Sequence, residues 1–440
     1  MGSASLLRAE RRAPVAQSAL VTTSSESTPK KLAIACAGGP APGINAVIAA
    51  VTAAACAAKV EVVGLRDGFR WVMEGSTEHT LALTTESTST IHFRGGSHLG
   101  ISRANPTRDP KLMDATLGTL AKLGVGMLVT IGGDDTATTA SKLAAASKGA
   151  LRVVHVPKTI DNDLDLPPHI STFGFQTARH IGTELCESLL VDAKTTGRWY
   201  FVIAMGRKAG HLALGIGKAA GATVTLIPEE YGASVRLKTV VDTLVGSIVK
   251  RLAEGREDGV AVLAEGIVEL LPEEDVADLA NAERDAHGHI RIAEIDFGRI
   301  VKQAVQKRMK ELGLKAPTIV SKDIGYELRC ADPIPFDLEY TRDLGYSAAT
   351  YVIGGGTDAL VSIQDGKFVP MRFADIMDPK TGRMRVRMVD VTQGPYTIGR
   401  SFMVRLTAQD FGDEAFAARL AQATGVSAEK LRDALIVPAV

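Results

Sequence analysis

An α/β fold of two domains, each built on a mainly parallel sheet covered by helices, is what this sequence predicts, and three observations carry that reading. The chain has 440 residues, too many for one ordinary core. Short apolar runs alternate with helical stretches, the pattern of strands buried on both faces. Glycine- and aspartate-rich loops follow those runs, at the strand ends where ligands of open α/β sheets bind, so a cleft between the domains is the expected site.

The elements follow in order. Met1 to Lys30 is rich in Ser, Thr, Ala and Arg, lacks an apolar stretch long enough for a secretory signal, and reads as a flexible tail. Leu32 to Cys36 reads as a strand, followed by a Gly/Pro turn and a helix over Ile44 to Ala58. The same unit recurs at Met127 to Ile131 before Thr136 to Ser147, at Val153 to Val156 before the Asp161 loop, and at Tyr200 to Ala204 before Gly210 to Ala220. Val260 to Ala264 ends on Glu265, and the charged stretch Leu270 to His289 reads as surface helix and turn. Pro333 to Gly356 reads as a loop and a helix (Asp343 to Val352) stopped by three glycines, and Gln409 to Leu435 as helical. No solenoid repeat is present.

Composition narrows the function. Lys plus Arg and Asp plus Glu both number 50, so no excess charge points to nucleic acid or to an anionic membrane as partner. The four cysteines, Cys36, Cys56, Cys186 and Cys330, have neither zinc nor disulfide-framework spacing, and no apolar run reaches the roughly 18 residues of a membrane span. A soluble, cytoplasmic protein is expected.

Two stretches carry the chemistry: Ile131-Gly132-Gly133-Asp134-Asp135 and Pro157-Lys158-Thr159-Ile160-Asp161-Asn162-Asp163. They place four carboxylates and one amine on adjacent strand-to-helix turns, which suits phosphoryl transfer. Capping a helix explains one Asp after Gly132-Gly133, not two, so a metal ligand and a steric gate are expected there. Asp161 and Asp163 face one side of an extended segment, where one carboxylate can deprotonate a hydroxyl while the other supports Mg²⁺, and Lys158 adds a point charge for phosphate. A calcium loop is excluded, because Leu166 stands where that loop needs Gly and Thr172 where it needs Glu.

Other motifs say less alone. Gly38 to Gly43 admits two readings, a packing turn or a cradle for an anion. Arg207, after Met205-Gly206, is equally a surface residue or a phosphate clamp, and Arg198 by itself reads as surface. No P-loop occurs, and the glycines of Gly215 to Gly221 read as helix packing. His287 and His289 lack partners for a metal site and read as exposed.

In combination, from about Leu32 to about Gly356, these motifs resemble the phosphofructokinases, and more narrowly their pyrophosphate-dependent branch. The resemblance implies two Rossmann-like domains with the active site between them: residues 31-175 plus about 333-395 as the larger, donor-binding domain, and 176-332 plus about 396-440 as the smaller, sugar-phosphate domain. The Gly39 loop resembles the family's first glycine-rich turn, and Gly95 to Arg103 the loop whose arginine touches donor phosphates. By the same likeness Asp134 is the magnesium ligand, Asp163 the second acidic group near the metal, Asp161 the base and Thr159 its neighbour at the acceptor. Met205, Gly206 and Arg207 lie beneath the sugar and transferred phosphate, and Glu265 holds sugar hydroxyls. Tyr326 stands in place of the usual His and Arg329 binds the sugar phosphate, while Arg198 reaches it from a neighbouring subunit, with Lys322 a candidate for a second such contact.

Donor choice rests on Asp135 and Lys158, where ATP users of the family generally carry Gly. A carboxylate at 135 repels the α-phosphate and nucleoside region, while the Lys158 ammonium holds the distal phosphate of a short donor. The resemblance therefore implies reversible transfer from Mg²⁺-pyrophosphate to O1 of fructose 6-phosphate, in a homodimer or homotetramer. The alternatives are an ATP-dependent 6-phosphofructokinase and a non-catalytic regulatory subunit of the same fold.

Overall fold

The computed structural model describes residues 31–167, 169–276 and 295–436. The expected tail lies outside the described residues, as do most of the Leu270 to His289 segment and both His287 and His289.

Eleven strands are described, arranged in two sheets. The larger has seven: β1 (Lys31–Cys36), β2 (Val62–Leu65), β3 (Thr80–Leu83), β4 (Val125–Gly132), β5 (Arg152–Pro157), β10 (Ala359–Gln364) and β11 (Lys367–Arg372), in the order β11-β10-β5-β4-β1-β2-β3. Its five inner strands run parallel, and only β3 and β11 at the edges run antiparallel. The register aligns Ile34 of β1 with Gly64 of β2 and Val129 of β4. The smaller sheet, β7 (Val224–Leu226), β8 (Gly259–Ala264), β6 (Arg198–Ala204) and β9 (Thr318–Ile324) in that order, is wholly parallel.

Continuous apolar strands explain this architecture. Alternate side chains of β1 enter two cores: Leu32, Ile34 and Cys36 one, Ala33 and Ala35 the other, all fully buried. Helices therefore cover both faces. The alanine-rich helix Ile44–Ala57 lies against Pro335–Ile353 so closely that a Cβ added to Gly345 would meet Ala50 Cβ and Val47 O at 2.8 Å. Small residues are what that approach requires.

Some expectations shift. The helix expected from Asp343 begins eight residues earlier, because Pro335 fits a first helical position, where its missing N–H costs nothing. Asp337 on that helix is buried and accepts the Gly174 and Thr177 N–H groups at 2.9 and 2.7 Å, so it caps the 22-residue helix Phe175–Thr196, which the sequence reading left unassigned. The C-terminal stretch is not one helix: Glu414–Thr424 stops at Gly425, in the left-handed region at φ 72°, and Ser427 caps Ala428–Ala434. Gly215 and Gly217 do lie inside the helix His211–Ala220, as packing residues should. All four cysteines are free, and no helix among the described residues is long and apolar enough to cross a membrane.

Candidate active site

The carboxyl ends of the two sheets face one cleft of about 400 Å³. From the larger sheet it receives Gly39 after β1, Asp134 and Asp135 after β4, and Lys158, Thr159, Asp161 and Asp163 after β5. Across from them stand Met205, Arg207 and Lys208 after β6, Glu265 after β8, and Tyr326 and Arg329 after β9. Arg103 enters from the Gly95 loop, which is held beside the end of β1 by the Gly38 N–H donating to Ser102 O at 3.2 Å.

Lys158 extends the sheet, its N–H donating to Gly132 O at 2.8 Å, and its ammonium donates to the carbonyl of Gly39. The lysine is only 5 % exposed, and burial, with the nearby Arg329 guanidinium, brings its pKa down to about 8. The Arg329 guanidinium lies against the same turn, its carbon 3.5 Å from where a Cβ on Gly39 would stand, so two cations from opposite sheets converge on one turn. Arg329 lies 5.5 Å over the Tyr326 ring.

The carboxylates line the same cleft. Asp161 is half-buried, and its buried Oδ1 has no hydrogen-bond partner among the described residues. Burial and the repulsion of Glu265 push its pKa up to about 6, against the pull of Arg329, Lys158 and Arg207. Asp163 is pushed up to about 7 by burial and by Asp161 and Asp134, although the Thr159 hydroxyl donates to it. Glu265 accepts the Gly206 N–H at 3.1 Å, and burial raises it too. Asp134 goes the other way: burial opposes the change, but Lys208 Nζ at 2.9 Å outweighs it and keeps the carboxyl below its usual range. Asp135 lies half-buried beside it on the cleft wall.

Among the described residues no group of three or more His, Cys, Asp or Glu is spaced to hold a metal ion by itself. Asp134 and Asp163 nevertheless fit Mg²⁺, which takes one or two carboxylates and completes its shell with water and phosphate oxygens. The carboxylate repulsion that raises Asp163 is what a hard cation there would relieve, and that cation would take the place on Asp134 that the Lys208 ammonium holds.

Two residues depart from the cleft. Arg198 opens β6 at the end remote from the cleft, about 20 Å along the strand from Ala204, with its Nε 3.9 Å from Asp192. Lys322 is exposed on β9. The sequence reading gave no role to Lys208, although it stands next to Arg207, nor to Arg387, whose contacts are made only by folding.

Cations and carboxylates gathered at the carboxyl ends of two mainly parallel sheets define a phosphate-handling α/β protein. The chain belongs to the phosphofructokinase family: that family's model, described as Phosphofructokinase, matches residues 31–352. It is 50% identical over 389 residues to the pyrophosphate–fructose 6-phosphate 1-phosphotransferase of Thermotoga maritima, covering 87% of this chain and 93% of the relative. It is 45% identical over 400 residues to the protein of that name from Naegleria fowleri, covering 88% and 91%. The solved pyrophosphate-dependent phosphofructokinase from Marinobacter aquaeolei shares the fold with a TM-score of 0.62 over 89% of this chain and 91% of that one, at 17% identity.

Proposed function

We propose that this chain is an enzyme that transfers a phosphoryl group from Mg²⁺-pyrophosphate to O1 of fructose 6-phosphate, reversibly, giving fructose 1,6-bisphosphate and phosphate. The observation that carries the reading is the Asp161 carboxylate: its Oδ1 buried without a hydrogen-bond partner, and the group set among Lys158, Arg207 and Arg329. The two relatives at 50% and 45% identity support the donor and acceptor.

Asp161 takes the O1 proton as that oxygen bonds to phosphorus and the bridging P–O bond of the donor breaks, the electron pair leaving with phosphate. Lys158, Arg103 and Arg207 meet the charge spread over the transferring group, and Thr159 positions Asp161, whose N–H donates to the Thr159 hydroxyl at 3.0 Å. Glu265 binds sugar hydroxyls, Tyr326 and Arg329 the sugar phosphate, and Met205 and Gly206 form the floor. Gly39 lines the donor end, where Asp135 excludes a nucleotide. Asp134 and Asp163 would hold Mg²⁺, which neutralises phosphate oxygens when bound.

The two domains follow the boundaries expected above, and the enzyme works in the cytoplasm as a homodimer or homotetramer. Arg198 then serves a neighbour's sugar phosphate, so a monomeric form should be poorly active.

Purified protein, fructose 6-phosphate and either pyrophosphate or ATP in one coupled assay test the reading. Turnover with pyrophosphate alone supports it. Turnover only with ATP makes the chain an ATP enzyme, and none with either makes it a non-catalytic subunit.

A further inference from the structure

Beneath the loop that carries Asp161 and Asp163 runs Arg385 to Val389, a segment with no acid or base for the reaction. Val386 makes a single antiparallel bridge with Leu164, the Arg387 N–H donates to Asp163 O at 2.8 Å, and Arg385 pairs with Asp165 at 2.7 Å. The Arg387 guanidinium then spends its donors on the loop's backbone. Nε and Nη2 donate to Asn162 O at 3.2 and 3.1 Å, and Nη2 also to the Asn162 side-chain oxygen. Nη1 donates to the carbonyls of Leu166, Pro167 and Ile170 at 3.2, 3.1 and 2.8 Å.

Asn162, between the two carboxylates, holds a left-handed backbone at φ 57°, a conformation asparagine tolerates better than most residues, and the guanidinium bonds both its backbone and its side-chain oxygen. Four carbonyls of the loop, those of Asn162, Leu166, Pro167 and Ile170, meet the guanidinium, and Pro167 O also accepts the Ile170 N–H at 2.9 Å. A planar fork with five N–H donors meets them together, which a lysine with three donors on one nitrogen cannot do. On its other side the segment holds the smaller sheet. His211 Nε2 lies 3.2 Å from Arg387 O, and the Val389 N–H donates at 2.9 Å to Glu229, the carboxylate that also receives the Gly210 N–H at the start of the helix His211–Ala220.

We propose that Arg387 is a positioning residue for phosphoryl transfer: by fixing the carbonyl of Asn162, between the two carboxylates, and the carbonyls that follow it, it sets where the Asp161 and Asp163 carboxylates stand, and ties them to the opposite wall of the cleft. The roles of those two carboxylates rest on the function proposed above.

The test uses full-length Arg387→Ala and Arg387→Lys, with kcat and KM for both substrates and amide hydrogen exchange across the chain. A displaced catalytic group costs about 10²-fold, so kcat should fall about that much in the Ala variant while KM for fructose 6-phosphate stays within about threefold. Lysine should recover under a tenth of the loss, and added guanidinium should raise kcat of the Ala variant. Exchange should quicken over 161–167 and leave β1, β4 and β6 unchanged. Wild-type kcat in the Ala variant, or exchange quickened equally in every strand of both variants, overturns the proposal. If the wild type turns over neither donor, the function reading fails, and the loop-selective exchange still decides the role of Arg387.

Discussion

Lys208 Nζ sits 2.9 Å from Asp134 Oδ2, an ion pair that joins the loop after β6 of one sheet to the first helical turn after β4 of the other across the cleft. Both side chains are about a quarter exposed, so the pair is partly shielded from water. Its ammonium stands where the proposed Mg²⁺ site has a carboxylate.

Removing that ammonium should therefore ease metal binding, since a cation no longer has to displace one. Lys208→Met is expected to lower the free Mg²⁺ needed for half-maximal turnover by about 3–10-fold, a pairwise effect on the order of 1 kcal/mol. Turnover measured against free Mg²⁺ checks it. A higher requirement would show that Lys208 assists the metal.

The pH profile should be bell-shaped. Asp161 must be ionised to accept a proton, and its coupled site with Asp163 titrates at about 6 to about 7, so kcat rises with pH through that range. Lys158 must keep its proton, and at about 8 it loses it, so kcat falls above. Asp161→Ser should lower kcat by about 10²–10⁴-fold with little change in KM for fructose 6-phosphate, and remove the acid limb. Unchanged kcat would take Asp161 out of the base role.

The crowding of carboxylates should also show in stability. Asp163 has a folded pKa of about 7 against 3.8 for its ordinary value, so the folded state holds a proton that the unfolded chain releases as pH rises above that value. The resulting destabilisation is absent at low pH, grows through the interval and is complete above about 7. Asp163→Asn should accordingly raise Tm at pH 8 without Mg²⁺, by a contribution on the order of 1–3 kcal/mol, and much less at pH 4. Thermal melts at both values decide it, and a lower Tm at pH 8 counts against it.

The strand-loop-helix units at Leu32, Met127, Val153 and Tyr200 were readable because each combines a buried apolar run with a glycine or aspartate turn, and these features are local. The cleft residues Asp134, Lys158, Asp161 and Arg207 sit in those turns, so they were readable too. What escaped depends on distant contacts. Asp337 makes sense only beside the N-terminus of Phe175–Thr196, 160 residues away along the chain from Thr177. Arg387 lies more than 200 residues from the carbonyls it holds, in a segment with no periodic pattern. Lys208 directly follows the Met205 to Arg207 motif, but its partner Asp134 comes from the other sheet.

Donor choice at Asp135 and Lys158 separates a pyrophosphate enzyme from an ATP enzyme most directly. The measurement is the ratio of kcat/KM for pyrophosphate to that for ATP, with fructose 6-phosphate, in the wild type and in Asp135→Gly/Lys158→Gly. The wild type should favour pyrophosphate by at least about 10³-fold, and the double variant should lose about 10²-fold with pyrophosphate while gaining at least about tenfold with ATP. A wild type that uses ATP as well as pyrophosphate, or a double variant whose ratio does not move, would contradict it.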